Sequence, residues 1–110
     1  MNLPSLKGKA AIVTGAAMGM GAATARLFAE AGASVLVADV NRDLGEQVVA
    51  DIRAMGGEAC FHRTDVSKAD DVKSMVERAV KEFGALHVAV NNAAVSPDTH
   101  VIWELDEAEL

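Results

Sequence analysis

Apolar and polar positions along the chain change their period several times, and each block has the length of one strand or helix. Short apolar runs predict four buried strands, at residues 9–14, 34–39, 58–64 and 86–90. Between these runs, apolar side chains recur at helical spacing, which predicts helices at residues 19–31, 42–55 and from Ser67 to Gly84. The tail, residues 103–110, has the pattern of a helix start.

The helical spacing also predicts which faces are buried. On the first helix the stripe is Ala22, Ala25, Leu27, Phe28 and Ala31, and on the second it is Leu44, Val48, Val49, Ile52 and Met55. Ser67 followed by Asp70 is a variant of the capping box, so we expect Ser67 to cap the third helix. Glycines end the helices, at Gly32, Gly56 and Gly84.

Strand and helix alternate along the whole chain, which is typical of the α/β class. Such alternation predicts parallel strands joined by right-handed crossovers. With strand order 3-2-1-4, the loop after the first strand lies where the winding direction reverses, and ligands of such sheets bind there. On this order the fourth strand has one unpaired edge, an aggregation liability that indicates an incomplete doubly wound fold.

Composition limits the architecture and the partners. The 110 residues suffice for a single domain, 1–110, and with 51% hydrophobic but only 4% aromatic residues its core is aliphatic. The net charge of −6 argues against a nucleic-acid surface. There is no long apolar run for a signal peptide or a membrane span, and the single cysteine, Cys60, fits a small buried side chain in a reducing cytoplasm. The three histidines lack metal-site spacing, so no metal is expected.

Three glycines, Gly15, Gly19 and Gly21, follow the first strand and open the first helix. Glycine lets a chain turn sharply and brings backbone close to a ligand. The start of a helix adds unpaired N–H groups and a partial positive charge. The loop is therefore predicted to bind a phosphate group.

Asp39 ends the second strand, where a carboxylate can accept hydrogen bonds from both hydroxyls of a ribose. It would repel a 2′-phosphate, and Ala16 and Ala17 offer that phosphate no cation. Arg42 could offset part of the repulsion, but its position at a helix start is more simply that of a solvated side chain. The pattern favours NAD over NADP.

Two further polar pairs follow the third and fourth strands. Asp65 could reach the edge of an adenine and Val66 could pack on its ring, although Asp65 and Ser67 could equally serve only as helix caps. Asn91 and Asn92 follow a buried strand, where their amides need partners. They either border a flat ligand or end the strand in a turn.

Together these motifs resemble the N-terminal part of a short-chain dehydrogenase/reductase, in the classical NAD-dependent branch. The resemblance implies a Rossmann-type three-layer sandwich. It further implies roles for individual residues: the three glycines and the Met20 amide around the pyrophosphate, Asp39 on the adenosine ribose, Asp65 and Val66 at the adenine, Asn91 tying the fourth strand to the first turn, and Ala93 against the cofactor. Ala94 and His87 depart from the family, which usually has a glycine and an acidic residue there.

The family's catalytic residues are a serine and a Tyr-x-x-x-Lys pair, downstream of the matched region. This chain contains no tyrosine, and Ser96 is not at the family's serine position, so no catalytic residue is assigned. We therefore expect the NAD-binding half of an oxidoreductase whose longer, oligomeric parent interconverts a secondary alcohol and a ketone. The alternatives are a non-catalytic nucleotide-binding module and an adenosylmethionine-dependent methyltransferase, whose glycine spacing fits less well.

Overall fold

Strands and helices alternate in the computed structural model, which describes residues 5–92 and 101–104. The elements are β1 (Ala10–Thr14), α1 (Gly19–Glu30), β2 (Ser34–Asp39), α2 (Arg42–Ala54), β3 (Glu58–Arg63), α3 (Ala69–Phe83), β4 (Val88–Asn91) and β5 (Val101–Glu104). Every predicted element from β1 to β4 is present. Their ends differ from the prediction by at most two residues, as expected where helices and strands fray.

The strands form one sheet in the order β3-β2-β1-β4-β5, and β1 to β4 are parallel. The predicted order 3-2-1-4 is confirmed. Thr14, at the end of β1, pairs with Ala38 on one side and with Asn91 on the other. The carboxyl ends of β1, β2 and β4 therefore meet at the same edge, beside the point where the winding direction reverses.

Helices cover both faces of the sheet, so the predicted three layers are confirmed. Side chains alternate between the faces along each strand. One face packs on α1 and α2 through Val13, Val35, Val37, Ala59, Phe61, Ala22, Ala25, Val48, Val49 and Ile52. The other packs on α3 through Ile12, Leu36, Ala38, Cys60, Met75, Ala79 and Leu86. Cys60 is buried, as its apolar setting predicts.

Three large side chains of the predicted buried stripes are exposed. Leu27 is 43% exposed, Leu44 is 40% exposed and Met55 is 53% exposed. On α2 the contact beside Leu44 is made by a glycine instead: a Cβ on Gly45 would lie 2.1 Å from Cε1 of Phe61, so α2 lies directly on that ring. Because Leu44 is the neighbour of Gly45, it is rotated away from the sheet by about 100° of helix.

The predicted cap of α3 is also wrong. The N-cap residue is Lys68, and no side chain caps the helix. Ser67 instead donates from its N–H (3.0 Å) and its hydroxyl (2.6 Å) to Oδ1 of Asp65. The serine thus belongs to the turn after β3, and the capping signal came from a residue that stabilises this turn.

The outer edge of β4 is occupied by β5, which runs antiparallel to it with Val88 opposite Glu104. The expectation of an unpaired edge at β4 is therefore wrong, and so is that of a helix start at residues 103 and 104. Residues 105–110 lie outside the described part of the chain. No helix among the described residues is long and apolar enough to cross a bilayer.

His87 joins β4 to the start of β1. Its Nδ1 accepts a hydrogen bond from the Ala10 N–H (3.0 Å), and its own N–H donates to the Ala10 carbonyl (2.9 Å). Ala10 is only 3% exposed, so its N–H depends on this acceptor. The imidazole thereby provides the acceptor that an acidic residue at this position could offer.

We predict that His87→Leu lowers the free energy of unfolding by about 1–3 kcal/mol, because it leaves the buried Ala10 N–H without an acceptor. His87→Asn should retain most of the stability, since Oδ1 of asparagine stands at the same branch of the side chain as Nδ1 of histidine. Urea unfolding of the two variants measures the difference. Equal losses would show that the ring, and not its acceptor, stabilises the joint.

Candidate functional site

A cleft of about 180 Å³ opens at the carboxyl ends of the strands. Its lining combines the ends of β1, β2 and β3: Gly15, Asp39, Val40, Thr64, Asp65 and Val66. Four residues that the sequence singled out, Gly15, Asp39, Asp65 and Val66, therefore lie together. The parallel strands cause this, because their carboxyl ends point to one edge of the sheet.

The glycine loop closes on itself at the start of α1. Gly15 (φ 61°) and Gly19 (φ 59°) adopt left-handed backbone conformations that suit glycine. Gly21 packs so closely that a Cβ there would lie 2.0 Å from the Gly15 carbonyl oxygen. The loop thus has the tight path that a backbone approach to a ligand requires.

The first turn of α1 leaves its amides available. The N-cap residue, Met18, makes no side-chain hydrogen bond to the amides of the helix, and no acidic residue lies in this turn. Met20 lies in the same turn, and its side chain is 70% exposed. Uncapped N–H groups and the positive end of the helix dipole together favour an anion here.

Asp39 is held by two backbone amides. Its Oδ2 accepts from the Ala17 N–H (3.1 Å), and its Oδ1 accepts from the Asn41 N–H (2.9 Å). Each carboxylate oxygen can accept a further hydrogen bond. Sequence reasoning missed the contact with Ala17, which links the second strand to the glycine loop and fixes the direction of the carboxylate.

The turn after β3 forms the opposite side of the cleft. Thr64 is buried, and its N–H donates to the Asp39 carbonyl (3.0 Å), which joins the ends of β2 and β3. The hydrogen bonds from the Ser67 hydroxyl and N–H lower the pKa of the Asp65 carboxyl, and Lys68 and Arg63 add to this. Asp65 therefore presents a negative charge at neutral pH.

Thr14 connects β1 to the asparagine pair. Its hydroxyl donates to Oδ1 of Asn91 (2.8 Å), while the Asn92 N–H donates to the same hydroxyl oxygen (3.2 Å). Asn91 thus ties the end of β4 to the end of β1, next to the glycine loop. Nδ2 of Asn92 is buried and has no hydrogen-bond partner in the described part of the chain. Ala93, Ala94 and Ser96 lie outside the described residues.

Other reactive side chains do not add to this site. Burial raises the pKa of the Cys60 thiol, and the residue sits under α3, so it is a poor nucleophile. Within residues 5–92, no group of three or more His, Cys, Asp and Glu side chains is placed to hold a metal ion. The site is built from backbone amides and carboxylates.

Comparison with known proteins places this geometry in context. The model of the family described as short chain dehydrogenase matches residues 9–110. The chain is 47% identical over 104 residues to the short chain dehydrogenase/reductase astE of Aspergillus oryzae, covering 94% of this chain and 40% of that protein. It is 42% identical over 97 residues to a cyclohexanol dehydrogenase of Acinetobacter sp., covering 88% of this chain and 39% of that protein.

Solved structures agree. A hydroxysteroid dehydrogenase from Escherichia coli superposes with a TM-score of 0.78 at 39% identity, over 79% of this chain and 37% of that one. A dehydrogenase/reductase from Sinorhizobium meliloti superposes with the same TM-score, 0.78, at 37% identity, over 80% of this chain and 35% of that one. The chain therefore spans less than half the length of the proteins that it matches.

Proposed function

The chain belongs to the short-chain dehydrogenase family, and on this basis we propose that it is the NAD-binding part of an oxidoreductase. The reaction we propose for the whole protein is interconversion of a secondary alcohol and a ketone by hydride transfer. The observation that carries the cofactor assignment is Asp39. Its carboxylate lies at the end of β2, in the same cleft as Asp65, and is fixed against the glycine loop by the Ala17 N–H.

The cleft and the glycine loop at the start of α1 suit a dinucleotide part by part. Gly15, Gly19, Gly21 and the Met20 amide would hold the pyrophosphate at the uncapped start of α1. This assignment is supported by the close packing of Gly21, since a side chain there would fill the space that the loop needs. The bound nicotinamide would supply the hydride.

The adenosine half would meet the carboxylates. Asp39 would accept the ribose hydroxyls, Asp65 would accept the adenine amino group, and Val66 would lie on the ring. Asn91 would keep β4 in register with β1 through Thr14. Ala93 would lie against the cofactor, as the resemblance to the family implies.

We propose NAD and not NADP as the cofactor. The negative charge of Asp39 opposes a 2′-phosphate, and the loop residues Ala16 and Ala17 are uncharged. Arg42 is engaged elsewhere, since its guanidinium carbon lies 5.2 Å from the centroid of the Phe61 ring. This arrangement favours a free ribose.

No residue of this chain is assigned to proton transfer. The chain contains no tyrosine, so the general acid/base of the family reaction is not among its residues. Its proposed part is to bind and orient the cofactor. We further propose a cytoplasmic location and an oligomeric whole protein, the former supported by a single, free, buried cysteine.

Titration of the purified chain with NAD, NADP and adenosylmethionine tests this function. We expect NAD to bind most tightly and to raise the melting temperature, because a ligand that binds only the folded state stabilises it. Energy transfer from the single tryptophan, Trp103, to reduced NAD offers a second readout. Binding of adenosylmethionine but of neither dinucleotide would support the methyltransferase alternative, and binding of none of the three would contradict the nucleotide site.

A further inference from the structure

We propose that Asp71, in the first turn of α3, is a positioning residue that sets how strongly the cleft distinguishes adenine from other bases. The inference rests on the proposed function, because it assigns the adenine to the turn formed by Asp65 and Val66. Asp71 is absent from the cleft lining and touches no part of the proposed ligand. It acts through the backbone of Asp65.

The contact is a single charge-assisted hydrogen bond. Oδ2 of Asp71 accepts from the Asp65 N–H at 2.9 Å, in a partly buried setting. The Asp65 carbonyl in turn accepts from the Lys68 N–H at 2.9 Å. Both backbone polar groups of Asp65 are therefore fixed, one by a side chain of α3 and one by the residue that begins this helix.

The side chain of Asp65 is oriented by the same turn. Ser67 holds its Oδ1 through the backbone N–H and the hydroxyl, which leaves Oδ2 for an outside donor. Asp71 thus holds the backbone and Ser67 holds the carboxylate. If the hydrogen bond from the Asp65 N–H to Asp71 is lost, we expect the Asp65 carboxylate and the neighbouring Val66 to shift together.

Asp71 differs from an ordinary acidic residue at a helix start. Asp70 and Asp71 both lie in the first turn of α3, where either would favour the helix dipole. Asp70 is exposed and makes no hydrogen bond among the described side chains, whereas the carboxylate of Asp71 reaches outside the helix to the turn after β3. Asp70 is therefore a matched control for the effect of charge on the helix.

A distinctive pattern of affinities follows. Adenine presents an amino group that can donate to Asp65, and hypoxanthine presents a carbonyl oxygen at the same position. A hydrogen bond to a charged partner that is replaced by an unfavourable contact changes affinity by about tenfold or more. The pyrophosphate and the ribose are held by the glycine loop and Asp39, which Asp71 does not touch.

The experiment compares dissociation constants for NAD and for nicotinamide hypoxanthine dinucleotide. We expect the unmodified chain to bind NAD about tenfold more tightly than the hypoxanthine dinucleotide. Asp71→Ala should lower this ratio of affinities towards one, mainly by weakening the binding of NAD. Asp71→Asn should keep the ratio, since its amide oxygen can accept from the same N–H. Asp70→Ala should keep it as well.

Two further measurements distinguish a local change at Asp65 from a general loss of folding in Asp71→Ala. Asp71→Ser retains a residue that suits a helix start but is too short to reach Asp65, so its ratio should also fall. Hydrogen exchange of the Asp65 amide should be slow in the unmodified chain and in Asp71→Asn, and fast in Asp71→Ser.

The outcomes separate the two proposals. If the unmodified chain binds neither dinucleotide, the proposed function fails and this inference fails with it. If it binds both, but the ratio is near one or is unchanged in Asp71→Ala and Asp71→Ser, the positioning role is overturned and the dinucleotide site stands. Equal losses in Asp70→Ala and Asp71→Ala would likewise overturn it, since they would report only on the helix.

Discussion

Replacing Gly21 with alanine is expected to abolish detectable NAD binding, with a loss of about 100-fold or more in affinity. The new Cβ would lie 2.0 Å from the carbonyl oxygen and 2.7 Å from the carbonyl carbon of Gly15. Both atoms are backbone, so the loop itself must move. Several hydrogen bonds to the charged pyrophosphate would lengthen together, and each is worth about 1.5–3 kcal/mol. Isothermal titration with NAD measures the loss.

The same substitution should lower the free energy of unfolding by about 1–3 kcal/mol, the usual cost of an extra methyl group in a packed site. Gly45→Ala is the matched control. Its Cβ would meet the Phe61 ring at 2.1 Å, so it also strains a helix against the sheet, but it leaves the glycine loop untouched. We expect folded Gly45→Ala protein to bind NAD nearly as well as the unmodified chain.

Unimpaired NAD binding by Gly21→Ala would contradict the assignment of the loop to the pyrophosphate. A parallel loss of affinity in Gly45→Ala would show that both variants act through general stability. Melting temperatures of the two variants, recorded without ligand, distinguish these cases.

The strands and their order were accessible from sequence because buried parallel strands carry continuous apolar runs. β2 has the predicted bounds, Ser34–Asp39, because the apolar run is preceded by a glycine and an alanine and ends in the carboxylate of Asp39. The order follows from right-handed crossovers and the position of the glycine loop. The pairing of β5 with β4 carries no such signal, because residues 101–104 follow no strand–helix repeat.

The buried faces of the helices were harder to predict from sequence, because a pattern of hydrophobic spacing is dominated by the large side chains. Leu44 and Met55 have the right period, yet the contacts with the sheet are made through Gly45 and by the residues one turn apart at Val48, Val49 and Ile52. The first turn of α2 approaches the sheet through Gly45, so its neighbour Leu44 faces outward, while Val48, Val49 and Ile52 are buried further along the helix. The spacing alone cannot distinguish this from packing through leucine.

For the site, the sequence located residues but not the hydrogen bonds between them. Because Asp39 and Asp65 stand at the carboxyl ends of parallel strands, their presence in one cleft could be predicted. The bond from Ala17 to Asp39 spans 22 positions, and that from Asp65 to Asp71 joins a turn to the next helix. Such contacts depend on the path of the loops, for which residue spacing contains no information.

Replacing Asp39 with alanine is expected to weaken NAD binding by about 100-fold or more, because two hydrogen bonds from the ribose hydroxyls to a charged acceptor are lost. The affinity for NADP should fall much less, or rise, because the repulsion between the carboxylate and the 2′-phosphate disappears with the side chain. The ratio of the two dissociation constants, measured in the same buffer, is the quantity that tests the ribose role. Ionic strength must be held constant, because screening reduces the repulsive part.

The contacts of Asp39 within the chain make this ratio necessary. Asp39→Ala also removes the acceptor for the Ala17 and Asn41 amides, and a loosened glycine loop would weaken both cofactors equally. Asp39→Asn separates the two effects, since it removes the charge and keeps one acceptor oxygen in place. A shift of preference towards NADP in Asp39→Asn, together with a lower affinity for both cofactors in Asp39→Ala, would show that Asp39 both selects the ribose and holds the loop. An equal loss for NAD and NADP in both variants would leave Asp39 with the loop-holding role alone, because only a contact with the ribose distinguishes the two cofactors.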